Sequence, residues 1–250
     1  MRNIKLVLAY DGHDFSGWQI QPDRPTVQGT LATCIGRLTG ENVLPQGSGR
    51  TDAGVHALGQ VATFETQSSI PVQNMVVALN DLLPPAIRVL QATDEQPDFH
   101  ARKSASAKTY RYRIYRDAIC PPFLARYVWH YPYPLEEEPM GHAAAAIVGE
   151  YDFTSFAAAD PERGREEEER SAVRTIFSSE WRRCADELIY TVRGSGFLHH
   201  MVRNLVGTFL LVGKQSLQPE DMARILQARD RSTAGATAPG SGLYLVGVEY

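Results

Sequence analysis

Residues 49–57 read Gly-Arg-Thr-Asp-Ala-Gly-Val-His-Ala and place a carboxylate, Asp52, two positions after a guanidinium, Arg50. The segment is too irregular for a helix and too rich in glycine for a strand, so it predicts a loop. In such a loop a neighbouring cation keeps a carboxylate ionised, which suits a nucleophile or a base. The alternative is a turn in which Asp52 bonds only to its own backbone.

The elements around this loop follow a pattern that occurs twice. Periodicity predicts strand 4–10, helix 26–38, strands 42–48 and 60–65, helix 72–83 and strand 87–91. The order returns as strand 107–115, a helix within 135–149, strands 171–183 and 188–193, helix 198–213 and strand 242–248. A further helix is predicted with Pro219 at its first position. The pattern β-α-β-β-α-β, taken twice, predicts an α+β fold of two halves, residues 1–104 and 105–250, whose sheets could join.

Composition indicates a globular protein without a membrane span. The chain has 250 residues, of which 43% are hydrophobic, and its apolar runs are too short for a signal peptide or a spanning helix. The three cysteines, Cys34, Cys120 and Cys184, lie far apart and form no Cys-x-x-Cys pair, which argues against a disulfide framework or a zinc site. We therefore expect a cytoplasmic protein.

Charge is unevenly distributed along the chain. The formal net charge is −4, which argues against a generic nucleic-acid binder. Residues 98–117, however, contain six arginines and lysines, whereas residues 160–169 are mostly acidic. A local basic stripe decides contact with phosphate, and whole-chain charge can hide it. The acidic run is predicted to be a solvated loop, which, if the chain binds RNA, lies away from the RNA or becomes ordered only on binding.

Strand 107–115 carries aromatic and basic residues in alternation. With a period of two, Arg111 and Arg113 share one face, and the other face carries Lys108, Tyr110, Tyr112 and Ile114. One interpretation is a half-buried strand whose tyrosines belong to the core. The other is an aromatic platform for an unstacked base beside a cation, as in proteins that bind single-stranded or flipped nucleotides.

Arg203 is a cation within an otherwise apolar predicted helix. Such a residue either extends its charged end to solvent or pairs with a buried acid, and Asp52 is a candidate acid. His199 and His200 are adjacent, so on a helix they would point about 100° apart and could not share a metal ion.

Six motifs in this order resemble the tRNA pseudouridine synthase A family across nearly the whole chain. They are YDG…F.GWQ.Q at residues 10–21, GRTDAGVHA…GQ…F.T at 49–66, DFHAR..A..K.YRY at 98–112, DF.SF at 152–156, F.HHMVRN.VG at 197–207 and AGATAP..GLYL.GV.Y at 234–250.

The resemblance implies the fold, the reaction and the roles of four residues. The fold would be the pseudouridine synthase fold, two ferredoxin-like halves forming one extended antiparallel sheet with helices packed on it. The enzyme would be a homodimer that uses no cofactor or metal and isomerises uridine to pseudouridine at positions 38, 39 and 40 of the tRNA anticodon stem-loop. Asp52 would be the catalytic aspartate, Tyr110 would stack on the target base, Arg203 would pair with Asp52, and Arg50 would help to displace the nucleotide.

The sequence departs from the family pattern at two places. Residues 160–169 form a segment that is longer and more acidic than is usual in the family, and Ile20 stands where relatives often carry a basic residue.

The first alternative function is that of an RNA-binding protein that has lost catalysis, against which the intact Asp52, Tyr110 and Arg203 argue. The second is an Asp-dependent glycoside hydrolase, which would normally need a second, paired carboxylate.

Overall fold

The computed structural model describes residues 1–159 and 171–250, and the acidic segment 160–169 therefore lies outside the described residues. The chain divides into two compact units, which are Met1–Lys108 with Tyr244–Tyr250, here called the N-terminal unit, and Thr109–Leu243, the C-terminal unit. The predicted domain division at residue 104 stays a prediction.

The N-terminal unit has the predicted order of elements. These are β1 (Arg2–Tyr10), α1 (Val27–Thr39), β2 (Gln46–Gly47), β3 (His56–Thr66), α2 (Val72–Leu82) and β4 (Ile87–Glu95). The strand order is β4-β1-β3, with β2 antiparallel to β3. Strand β1 is antiparallel to both of its neighbours, with Ile4 opposite Phe64 and Asp94.

Capping and alternation explain these elements. Thr26 caps α1 by accepting a hydrogen bond from the Gly29 amide, and α2 starts after Pro71. Alternate residues of β1 are fully buried, as are residues of both helices, and together they make one apolar core: Ile4, Leu6, Leu8, Leu31, Ile35, Met75 and Leu79.

The C-terminal unit contains most of the remaining elements. They are β5 (Ala107–Tyr115, of which the first two residues belong to the other unit), β6 (Trp129–His130), α3 (Glu137–Ala145), β7 (Gly149–Asp152), β8 (Val173–Cys184), β9 (Glu187–Gly194), α4 (Met201–Gly213) and α5 (Asp221–Ala228). The strand order is β5-β9-β8-β7, with β6 parallel to β5. Helix α4 lies at the centre of the C-terminal unit, because eleven of the thirteen residues of the helix are buried.

The last strand, β10 (Leu243–Glu249), runs parallel to β3 and pairs Tyr244 with His56. Ten strands and five α-helices thus occur in the described part of the chain, and the strand pairing is mostly antiparallel. The predicted α+β fold class is confirmed. In residues 1–159 and 171–250, no helix is long and apolar enough to cross a membrane.

Several predicted boundaries are wrong for local reasons. The strand predicted at 42–48 is reduced to Gln46–Gly47, and β3 begins four residues earlier than predicted, at His56. Helix α5 begins at Asp221, so Pro219 precedes it by two residues. The short strands β6 and β7 were not predicted, since two and four residues carry too little periodicity to detect.

Candidate active site

The candidate catalytic residue Asp52 lies in the loop that joins β2 to β3 in the N-terminal unit. The loop turns back directly after it, because the Val55 amide donates to the Asp52 carbonyl at 3.1 Å. Asp52 is half-buried and Arg50, two residues earlier, is exposed. The loop prediction is right for residues 49–55, but His56 and Ala57 already belong to β3.

A second loop, residues 11–18, holds the Asp52 loop by its backbone. The Trp18 amide donates to the Thr51 carbonyl at 2.9 Å, and the Gly54 amide donates to the Phe15 carbonyl at 3.3 Å. The Thr51 carbonyl on one side of Asp52 and the Gly54 amide on the other are thus both engaged. Because these hydrogen bonds hold the backbone on both sides of Asp52, the position from which its carboxylate projects is fixed.

Two glycines permit this close approach of the two loops. A Cβ on Gly12 would stand 1.9 Å from the Val55 carbonyl oxygen, and one on Gly17 would stand 2.7 Å from the Thr51 carbonyl oxygen. Gly17 also has a φ of +97°, a backbone conformation that L-residues with a side chain rarely adopt. The glycines of the YDG and GWQ segments are therefore needed for the position of Asp52.

A buried chain of polar groups supports the Asp52 loop from the sheet. The Tyr10 hydroxyl lies 2.8 Å from Thr51 Oγ1, and Gln60 donates to the Gly49 carbonyl at 3.0 Å. Ser48 in turn donates to Gln60 Oε1 at 2.7 Å, and Lys108 Nζ donates to the Ser48 carbonyl at 2.5 Å. Burial raises the pKa of Tyr10 to about 12, so its hydroxyl stays protonated as a neutral group.

Tyr10 and Gln60 both lie within the family motifs, but the sequence predicted no role for either residue. A signal was present at Gln60, which is a fully buried amide next to the buried apolar residues Val61 and Ala62 of strand β3. A polar side chain in such a place has to be hydrogen-bonded, and here it bonds to the catalytic loop.

Tyr110, the predicted stacking residue, lies on β5 in the C-terminal unit. The predicted alternation is confirmed, because Tyr110, Tyr112 and Ile114 are buried whereas Arg111 and Arg113 are half-buried. The ring of Phe197 meets the Tyr110 ring edge-on, with centroids 5.0 Å apart and planes at 78°. Such an edge contact fixes the orientation of an aromatic ring, which a stacking platform requires.

Arg203 lies in the first turn of α4 and is held by the segment that carries the AGATAP motif. Its Nε donates to the Ala238 carbonyl at 2.7 Å, and the Ala238 amide donates to the Arg203 carbonyl at 3.2 Å. The side chain is half-buried on a helix that is otherwise almost entirely buried. Tyr112 lies nearby: burial raises its pKa, and the positive charge of Arg203 partly opposes that shift.

The neighbouring residue Asn204 fixes α4 against three other segments. It is fully buried, donates to the Phe156 carbonyl at 2.7 Å, and accepts from Arg231 at 2.9 Å and Thr237 at 2.7 Å. One turn later, a Cβ on Gly207 would stand 1.7 Å from the Ala236 carbonyl oxygen. The motifs DF.SF, RN.VG and AGATAP therefore meet in one network that positions the start of α4.

The predicted placement of the two histidines on a helix is wrong. Helix α4 begins at Met201, not at residue 198, and His200 has a left-handed backbone with φ of 59° just before it. The rings of His199 and His200 lie 3.9 Å apart. The helical spacing that was used to exclude a shared metal ion therefore does not apply to this pair.

The four candidate residues are divided between the units. Arg50 and Asp52 belong to the N-terminal unit, and Tyr110 and Arg203 belong to the C-terminal unit. In each unit the candidate side chains are attached to hydrogen-bonded or packed frames. The pairing of Asp52 with Arg203 stays a prediction.

Comparison with known proteins gives full-length similarity to one family. A family described as tRNA pseudouridine synthase matches residues 7–102 and 143–250. The chain is 53% identical to the tRNA pseudouridine synthase A of Solibacter usitatus, over the whole of both chains. It is 46% identical to that of Moorella thermoacetica, with 99% of each chain covered, and 47% identical to that of Halalkalibacterium halodurans, with 97% and 90% covered.

Proposed function

The chain belongs to the tRNA pseudouridine synthase family, and we propose that it converts uridines at positions 38, 39 and 40 of the tRNA anticodon stem-loop into pseudouridine. It is an isomerase, and tRNA is its substrate. The observation that carries the proposal is the frame around Asp52, whose loop is bonded from two sides by residues of the family motifs.

The reaction balances without any other reactant. The C1′–N1 bond of uridine breaks, the uracil ring turns, and a new bond forms between C1′ and C5. C5 then gives up its proton and N1 gains one, so that the product is an isomer of the substrate. No redox change and no energy input are needed.

Asp52 is proposed to start this reaction as an ionised carboxylate. It either attacks C1′ directly or abstracts a proton from the sugar to open an elimination route. Either role requires a carboxylate held at a fixed place, and the hydrogen bonds of Trp18 and Phe15 with its loop support that requirement. Arg203 is proposed to pair with Asp52 and keep it charged.

Tyr110 is proposed to stack on the target base and hold the detached uracil while it turns. Stacking of a base on an aromatic ring contributes about 1–3 kcal/mol, which suffices to retain a small ring during one rotation. Because a nucleotide in a helical stem has to be flipped out first, at a cost of a few kcal/mol, a group is needed to occupy its place. The exposed Arg50 is proposed for that displacement.

The family resemblance also supports two proposals about the enzyme in the cell. We expect a homodimer, as the resemblance implies. We also expect it in the cytoplasm, where tRNA is modified.

The test is to replace Asp52 by Asn or Ala and measure pseudouridine formation in a tRNA transcript. Both variants should bind tRNA with nearly unchanged affinity and form no product. Asp81→Asn, which removes an exposed acid from α2 in the same unit, is the matched control and should react like the wild type.

The outcomes separate the competing functions. Substantial turnover by either Asp52 variant would reject the assigned role. A wild-type protein that binds tRNA but forms no pseudouridine would instead indicate an RNA-binding protein without catalysis. Activity on a free nucleoside or a small glycoside would indicate a different enzyme, because only the proposed function requires the polymer.

A further inference from the structure

Two cations of the C-terminal unit lie over one buried aromatic ring, and a third cation lies near them. Arg116 and Lys214 contact the Tyr131 ring, Arg183 is a charged neighbour of Arg116, and these four residues are here called the Tyr131 cluster. The Arg116 guanidinium lies 5.7 Å from the centre of the Tyr131 ring, and Lys214 Nζ lies 5.3 Å from it. Arg116 also donates to the Tyr131 carbonyl. Arg183 is close enough to lower the pKa of Arg116, after the larger effect of burial.

The Tyr131 cluster is held by the ends of separate elements. Arg116 follows β5 and its amide donates to the Asp186 carbonyl at 2.8 Å, while the Tyr131 amide donates to the Tyr115 carbonyl at 2.9 Å. Lys214 caps the C-terminal end of α4, and Arg183 lies near the end of β8. These backbone bonds fix the spacing of the cations before any ligand arrives, so the cluster is a built arrangement.

The acids paired near the Tyr131 cluster neutralise one of its three cations. Glu137 forms an ion pair with Arg183. Glu187 binds Arg113 through two hydrogen bonds, at 2.5 and 2.7 Å, and so is already engaged. Within the described residues, Lys214 has no carboxylate within ion-pair distance and Arg116 Nε is buried without a hydrogen-bond partner. Across the described part of the chain, the ion pair of Arg183 with Glu137 is thus the one that joins a cation of the Tyr131 cluster to a carboxylate.

The aromatic residues around the Tyr131 cluster indicate that the anion bound by these cations belongs to a nucleic acid. The Tyr133 ring packs edge-on against Tyr131, with centroids 5.2 Å apart, and Tyr133 is 64% exposed. Cations beside an exposed aromatic ring are the combination that binds a sugar-phosphate backbone. The planar guanidinium group matches the oxygen atoms of a phosphate, and an ammonium group adds a point charge.

We infer that the Tyr131 cluster binds phosphodiester groups of the tRNA backbone. This inference rests on the proposed function, because it takes tRNA as the partner. Contacts to phosphate position a nucleic acid without reading its sequence. The Tyr131 cluster should thus contribute to affinity and leave the chemical step unchanged.

The test uses the full chain and an unmodified tRNA transcript. Dissociation constants are measured between 50 and 200 mM salt for the wild type, Arg183→Gln, Lys214→Gln and the double variant. Each lost phosphate contact lowers the slope of log affinity against log salt by about one, so the double variant should lose roughly tenfold less affinity over this range. Its turnover number at saturating tRNA should stay at the wild-type value.

Two controls separate a local site from a general effect of charge. Arg182→Gln with Arg224→Gln removes the same charge from exposed positions outside the cluster and should leave the salt slope unchanged. Arg183→Lys with Lys214→Arg keeps both charges and should retain tRNA binding. Thermal unfolding of every variant checks that the fold is intact.

The outcomes distinguish this inference from the function on which it rests. Wild-type affinity and salt slope in the Gln double variant, with normal pseudouridine formation, would overturn the inference alone. An equal loss in the Arg182 and Arg224 control would also overturn it. A wild-type protein that fails to bind tRNA would overturn both the inference and the proposed function.

Discussion

The Tyr10 hydroxyl lies 2.8 Å from Thr51 Oγ1, and Thr51 immediately precedes the candidate catalytic residue Asp52. Both residues are buried, and Tyr10 ends the central strand β1. The bond therefore connects the core of the N-terminal unit directly to the loop that carries the chemistry. A rigid attachment of this kind keeps a catalytic group within the small tolerance that a reaction allows.

Replacing Tyr10 by Phe should lower the rate of pseudouridine formation several-fold and reduce the free energy of unfolding by about 1–2 kcal/mol. The change removes the hydroxyl and leaves Thr51 Oγ1 buried without this partner, so the Asp52 loop gains freedom. Turnover of a tRNA transcript and urea denaturation measure the two effects.

Tyr190→Phe is the matched control for this change. The Tyr190 hydroxyl is also buried and also bonds a hydroxyl, Ser179 Oγ, at 2.8 Å, but it lies in the C-terminal unit. It should cost similar stability while the turnover number stays at the wild-type value. Equal losses of turnover in both variants would show that the Tyr10 bond has no special effect on Asp52.

Gly17→Ala should displace the Asp52 loop and abolish most activity. The new Cβ would stand 2.7 Å from the Thr51 carbonyl oxygen, and the φ of +97° is itself strained for alanine. Strain and clash together should cost about 2–3 kcal/mol of stability. Thermal unfolding and turnover are the measurements.

Gly141→Ala provides the contrast, since it lies within α3 with open space around the added Cβ. Alanine there should raise the free energy of unfolding by about 0.5–1 kcal/mol and leave turnover unchanged. If Gly17→Ala behaved like Gly141→Ala in both measurements, the close approach of the two loops would not matter for catalysis.

The sequence predicted elements best where a local signal was strong. Strand β5 was predicted with its observed bounds, because tyrosine and arginine alternate at residues 110–113 within a stretch rich in β-forming residues. Helices α1 and α2 were correct to within one residue at each end, because Thr26 and Pro71 mark their starts. Local rules are enough for such elements.

Interactions between distant residues were beyond local rules. Tyr10 and Gln60 bond residues 41 and 11 positions away, and the pairing of β10 with β3 joins residues nearly 190 positions apart. The start of α4 was missed because His200 adopts a left-handed conformation, which is uncommon for any residue with a side chain. The candidate residues were found through motifs, but the frames that hold them needed the structure.

Asn204→Ala should destabilise the C-terminal unit and lower turnover through Arg203. The change removes three hydrogen bonds of a fully buried amide and leaves the Phe156 carbonyl, Arg231 and Thr237 each short of one partner. A loss of about 2–4 kcal/mol is expected. Because Asn204 directly follows Arg203 on α4, the guanidinium should lose its fixed position. Turnover, measured well below the unfolding temperature, should then fall about tenfold.

Asn80→Ala is the control, because Asn80 makes two hydrogen bonds to Val89 within the N-terminal unit. This change should cost stability without changing turnover. Stability within 1 kcal/mol of the wild type in Asn204→Ala would mean that the network contributes little, and the Ala238 backbone alone would then have to hold Arg203.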